Sequence, residues 1–160
     1  MKKIKILVAF VLCLACLAAL VGCSDNKQDD AQAQNRKYMS SVGTIMGTLS
    51  TEMTDFSQAV KDGEVISLSS DLSAVDTCVS DLEALSAPDA LKDVHGKYVS
   101  GAKELQAALK DYVALYEDMK APESGSADYA DYDKRLAEIQ KRYDAGMKDL
   151  QEADEKAKQA

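Results

Sequence analysis

The sequence predicts an all-α fold, an antiparallel up-down four-helix bundle that follows an apolar opening segment and a short polar tether. Three observations predict it. Apolar side chains recur every three or four residues through four stretches, the spacing that gathers them on one face of a helix. Runs rich in Gly, Pro, Ser and Asp separate the stretches, as turns do. No stretch alternates apolar and polar residues long enough to make a strand. Four amphipathic helices joined by short connections pack most simply as up-down neighbours. The alternative is a set of antiparallel coiled-coil hairpins with no common core.

The first helical stretch, about 35–62, carries Tyr38, Val42, Ile45, Leu49, Met53, Phe56 and Val60 on one face. Asp62-Gly63 ends it, since Gly63 suits the left-handed position just past a helix. Gly43 and Gly47 stand four apart within it, and imply either a close approach by a neighbouring helix or a softer stretch of helix. The second stretch, about 64–86, carries Val65, Leu68, Leu72, Val75, Val79 and Leu82. Ser86-Ala87-Pro88-Asp89 breaks it, and Pro88 fits the first position of the next helix, where a missing N–H costs nothing. The third, about 88–120, carries Leu91, His95, Tyr98, Ala102, Leu105, Leu109, Tyr112, Tyr116 and Met119. A loop follows from Ala121-Pro122 to Gly125-Ser126. The fourth, about 126–158, carries Tyr129, Tyr132, Leu136, Ile139, Tyr143, Gly146 or Met147, Leu150, Ala153 and Ala157.

Ahead of these lies a different kind of chain. Lys2, Lys3 and Lys5 make a cationic start, and residues 6–22 form an unbroken apolar or small-residue run. The run is shorter than the ~20 residues a membrane-spanning helix usually needs, and no charge anchors its far end. It closes on Leu20-Val21-Gly22-Cys23. That sequence resembles the lipobox of bacterial lipoproteins, and every position matches. The resemblance implies a cleaved signal peptide over 1–22. It also implies a diacylglycerol on the Cys23 thiol with an acyl group on its new amino terminus, and so a membrane as partner through the lipid. A diacylglycerol supplies the two chains that durable anchoring requires. The expected place is the extracytoplasmic face of the cell membrane, or the outer membrane in a Gram-negative host, where Ser24 rather than Asp follows the cysteine. Residues 23–34 then form the lipidated cysteine and a disordered tether, being polar with no apolar face. The bundle spans 35–160. Pro88, Leu91, His95 and Tyr98 also resemble a helix opening found in small helical bacterial lipoproteins of unassigned role, a resemblance that implies no activity.

Composition narrows the chemistry. The formal charge is −8, and removing the opening segment deletes three lysines and no carboxylate. Such an acidic surface argues against nucleic acid and against electrostatic contact with anionic lipid headgroups. Of the 4 cysteines, Cys13 and Cys16 leave with the signal and Cys23 is acylated, so Cys78 has no partner for a disulfide. No phosphate-binding Gly-rich loop, Gly-x-Ser-x-Gly elbow or His-Glu-x-x-His occurs. The sequence therefore reads as a non-catalytic binding module at the envelope, with an envelope protein as possible partner and no cofactor besides the lipid.

Two further sites are expected. His95 is the single histidine and sits on an apolar stripe. It reads as a partly buried imidazole bonded to a neighbour. The competing reading is a small-ligand or metal sensor with a pocket near His95, and Cys78 falls at a similar height across the hairpin. The second site is distal. At 1.5 Å per residue the second helix spans ~33 Å and the third ~48 Å, so the third should overshoot the Asp62-Gly63 turn by roughly 15 Å, with the fourth helix beside it. That tip would present Tyr112, Tyr116, Tyr129 and Tyr132 either as a partner-binding surface or as rings that cap the bundle.

Overall fold

The computed structural model describes residues 26–62, 66–120 and 129–159. They form α1 (Asn26–Asp62), α2 (Ser69–Ala84), a 3-10 turn (Asp89–Leu91), α3 (Lys92–Lys120) and α4 (Tyr129–Ala157). All four helices contribute to one apolar core, with no strand among the described residues. Hairpins without a common core are thereby ruled out. The segment 1–22 expected to be a signal peptide, and Cys23, lie outside the described residues.

Side-chain pairs fix the register. Between α3 and α4, Tyr98 meets Asp154, Lys97 meets Asp149, Asp111 meets Arg142 and Asp118 meets Arg135, so these two helices run in opposite directions. Between α2 and α3, Asp76 meets Lys110 while Glu83 meets Lys103, again opposed. Between α1 and α3, Tyr38 meets His95 and Phe56 meets Tyr112, so these two run parallel. This is the up-down-up-down order.

The periodic stripes become the core. In α1, Tyr38, Val42, Leu49, Met53, Phe56 and Val60 are buried, with Met46 inside where Ile45 was expected. In α3 the buried set is wider than the expected stripe, because Val94, Ala108 and Leu115 join it. A helix with α2 on one flank and α4 on the other must be apolar over a broader arc. Phe56 marks the centre: its ring is fully buried and stands edge-on to Tyr112 at 5.5 Å and to Tyr143 at 5.7 Å. Edge-on ring pairs place a positive ring edge against a negative face and stabilise beyond simple burial.

The boundaries depart from expectation in three places. The helix α1 begins at Asn26, so the disordered tether expected over 23–34 is corrected for 26–34. Lys27, Gln28, Ala31, Gln32, Ala33 and Gln34 are good helix formers. Once the packed part of α1 exists, adding turns needs no new nucleus. The helix α2 begins at Ser69 rather than near residue 64. Ile66, Ser67 and Leu68 are not helical, and the Leu68 side chain is buried while its carbonyl accepts the Leu72 N–H at 3.0 Å. Pro88 precedes the 3-10 turn as its cap, with φ −56° and ψ 154°, instead of occupying the first helical position. Its carbonyl accepts the Leu91 N–H at 2.8 Å.

A close helix approach lies at two glycines that the sequence reading did not single out for it. A methyl group on Gly101 would sit 2.8 Å from Leu150 and 2.9 Å from the Gly146 carbonyl oxygen. A methyl group on Gly146 would sit 2.9 Å from the Gly101 carbonyl oxygen and 2.9 Å from Leu105. So α3 and α4 cross backbone to backbone. Gly43 and Gly47 have nothing within 4 Å of the added atom, so of the two readings offered for them the close approach is excluded.

Candidate functional site

A cluster of inward-facing polar groups lies at the end of the bundle where α3 starts. The Tyr38 ring is buried, and its hydroxyl lies 2.9 Å from His95 Nδ1. The two rings meet edge-on with centroids 6.0 Å apart. One turn further along α3, the Tyr98 hydroxyl donates to Asp154 Oδ1 at 2.6 Å. Three helices thus deliver a phenol pair, an imidazole and a carboxylate to one end. The delivery follows from periodicity: Tyr38, His95 and Tyr98 all lie on core-facing stripes, and each carries a polar atom that must find a partner when dehydrated.

Burial sets the electrostatics. It pushes the Tyr38 phenol up from 10.0 to about 12. The Tyr98 phenol is raised by burial first, then by its bond to the Asp154 carboxylate and by that group's charge. Both rings therefore stay neutral across the physiological range and serve as hydrogen-bonding walls rather than acids. The expected partly buried, hydrogen-bonded His95 is what the fold shows. Its partner is a phenol on α1, neither a serine nor a carboxylate.

This arrangement has a consequence for stability in alkali. An unfolded chain ionises its tyrosines near pH 10. The folded chain holds Tyr38 neutral to about pH 12 and raises Tyr98 as well. Their contribution is therefore fully present below about pH 10 and is lost as the pH climbs toward about 12. Urea midpoints measured across that interval should fall for the native chain and fall less for a Tyr38→Phe, Tyr98→Phe double variant. Equal slopes would mean that other groups cause the loss.

Beside this cluster, on the outer seam of α3 and α4, the Lys97 ammonium reaches Glu152 at 2.6 Å and Asp149 at 3.3 Å, and Ser100 donates to Asp149 at 2.7 Å. The Ser100 bond, then Lys97, holds the Asp149 carboxyl below the usual range, and the Lys97 ammonium is held up first by Glu152. Half-exposed pairs of this kind contribute little each, and align the helices more than they stabilise them.

The other expected sites fare differently. Cys78 is buried on α2, and burial, then the charges of Glu52 and Asp81, raise its thiol above the ordinary value. A thiol kept protonated is a poor nucleophile and a poor ligand. Among the described residues, no three His, Cys, Asp or Glu side chains are grouped to hold a metal ion.

The distal tyrosine tip is corrected at Tyr112. Tyr112 is 1% exposed and packs against Phe56 of α1, so it belongs to the core and cannot meet a partner. Because α1 runs parallel to α3 in that register, it climbs as high as α3 does, and no two-helix overshoot forms there. The length argument failed because it treated 64–86 as continuous helix. The register shows where the height goes: Glu83, one residue before the end of α2, stands level with Lys103, eleven residues after the start of α3, so residues 85–91 cover the roughly 15 Å expected of the tip. Tyr116 is half-buried, with the Lys120 ammonium 5.8 Å from its ring centre. Tyr132 packs partly buried against the core. The Tyr129 side chain lies outside the described residues.

What the sequence reading missed is the Tyr38–His95 and Tyr98–Asp154 pairing. A signal existed: the nearly equal spacings from Tyr38 to Phe56 and from His95 to Tyr112 allow the parallel match. No family model, no curated protein and no solved structure matches this chain.

Proposed function

We propose that the chain is a lipid-anchored, extracytoplasmic protein whose helical bundle is a non-catalytic interaction module at the cell envelope. One observation carries the anchor: Leu20-Val21-Gly22-Cys23 closes an apolar run that follows Lys2, Lys3 and Lys5. The described helices are consistent with a tether of that kind, since none is long and apolar enough to cross a membrane. A filled core supports an interaction role: Phe56, Leu49, Leu82, Leu105, Leu109 and Tyr112 fill the interior. The absence of a recognisable catalytic grouping in the sequence points the same way. The reading leans on the anchor and not on the distal tyrosines.

The anchor is tested by growing cells on an alkyne fatty acid and comparing the native chain with Cys23→Ser. The native protein should take up the label and sediment with membranes. The variant should lose essentially all label and stay with its opening segment uncut. Label retained on the variant would place the acyl group elsewhere and overturn the reading.

A further inference from the structure

We infer that the first three turns of α1, residues 26–37, form a helical stalk that holds the bundle at a set height and orientation above the membrane. The inference rests on the lipid-anchored reading for its membrane, and on the fold for its stalk.

The register supplies the geometry. Tyr38 pairs with His95, so the 3-10 turn that begins at Asp89 lies level with about Gln32 of α1. Tyr98 pairs with Asp154, so the end of α4 at Ala157 lies level with about His95, and hence with Tyr38. Below that level α1 loses first α4 and then α3 as neighbours. The burial pattern agrees: residues 30–34, Arg36 and Lys37 are exposed, and Tyr38 is the first buried residue of the chain as described. A continuous helix from Asn26 to Tyr38 spans about 18 Å, and its outer part, from Asn26 to about Gln32, stands about 9 Å beyond the 3-10 turn with no neighbouring helix among the described residues. Only Ser24 and Asp25 separate Cys23 from Asn26 in the sequence.

The physical difference from a flexible tether is one of spread, not of mean length. A flexible coil of those residues has a root-mean-square span of about 17–21 Å, close to that of the helix, but samples everything from contact to full extension. A helix fixes the span. It also fixes which end of the bundle faces the lipid, namely the end carrying Tyr38, His95, Tyr98 and Asp154. The stalk needs no packing to exist because it propagates from the buried part of α1, where the nucleus is already formed. The acidic side chain of Asp30, near the helix start, suits the positive end of the helix dipole.

The test measures a distance distribution along α1 in the full-length protein reconstituted in lipid vesicles. Spin labels go on Ala31→Cys and Thr51→Cys, both exposed. A control pair goes on Ser40→Cys and Thr54→Cys, within the packed part. Cys78 stays native, since its burial keeps it from the label. A continuous helix gives a narrow peak near about 30 Å for the first pair, as sharp as the control near about 21 Å. A broad distribution for the first pair overturns the stalk, whether the control is narrow or broad, because in either case α1 is not a rigid rod at its start. Failure of the anchor reads out separately. A Cys23 thiol free to take the label shows that the chain is not acylated, and leaves the α1 distance to stand or fall alone.

Discussion

Replacing Phe56 with alanine is expected to lower the unfolding free energy by about 3–5 kcal/mol, the usual cost of emptying a large aromatic site in a core. The site lies deep in the core, where three helices meet. Phe56 is fully buried and touches Tyr112 of α3 and Tyr143 of α4 edge-on, so a single truncation removes packing between three helices. The walls around it are large rings on long helices, held by their own contacts above and below, and they cannot collapse far into the void. A domain of this size has roughly 5–15 kcal/mol in hand, so the variant should sit near the edge of folding at physiological temperature. Urea unfolding followed by circular dichroism measures it. The midpoint should fall steeply with little change in slope, and Phe56→Leu, which refills part of the volume, should recover a good share. A loss under about 1 kcal/mol would mean that α1 does not pack against both α3 and α4 at this level.

The second large effect changes sign with position. Alanine for glycine inside a helix ordinarily stabilises by about 1 kcal/mol, through lower chain entropy in the unfolded state and better helix propensity. Gly43→Ala and Gly47→Ala should follow that rule, because the added methyl meets nothing within 4 Å. Gly101→Ala and Gly146→Ala should break it. Each new methyl would lie 2.9 Å from a backbone carbonyl oxygen of the facing helix and as close to a leucine side chain. A leucine can rotate away; a backbone oxygen can retreat only if the whole helix does. Such overpacking costs about 1–3 kcal/mol, so the two pairs of variants should move in opposite directions. Thermal melts of the four single variants decide the matter. If Gly146→Ala stabilises as Gly43→Ala does, α3 and α4 do not cross as closely as described.

These two predictions also mark what could be read from the sequence. The stripes were legible because one period, three or four residues, repeats through each helix. Leu49, Val75, Leu105 and Ile139 all landed inside for that reason. The glycine crossing was not legible. Periodicity says which face a residue is on, while a close approach depends on which helix stands opposite and at what height. Gly43 and Gly47 carry the more suggestive spacing, yet the contact belongs to Gly101 and Gly146, 45 residues apart. The expected overshoot, and with it an exposed Tyr112, failed for a related reason. Helix lengths were compared as if the second and third helices met at one level, whereas Glu83 near the end of α2 stands level with Lys103, eleven residues after the start of α3. The stalk was misread because polar composition suggested disorder. Composition alone does not register that a strong helix lies directly downstream and can extend through Gln and Ala at little cost. His95 was placed correctly on the apolar face, but its partner Tyr38 lies 57 residues away on another helix.

The anchor at Cys23 is the claim on which the functional reading depends, and the covalent state of that residue tests it most directly. The protein is purified from the membrane fraction of cells that express the full-length chain, digested with trypsin, and its amino-terminal peptide is weighed. Cleavage before Cys23 and acylation give a peptide spanning residues 23–27, ending at Lys27, with the mass of a diacylglyceryl group on sulfur and, where the host adds it, an acyl group on the amino terminus. A peptide that continues upstream through residues 6–22, or one that begins at Cys23 with an unmodified thiol, would contradict the account.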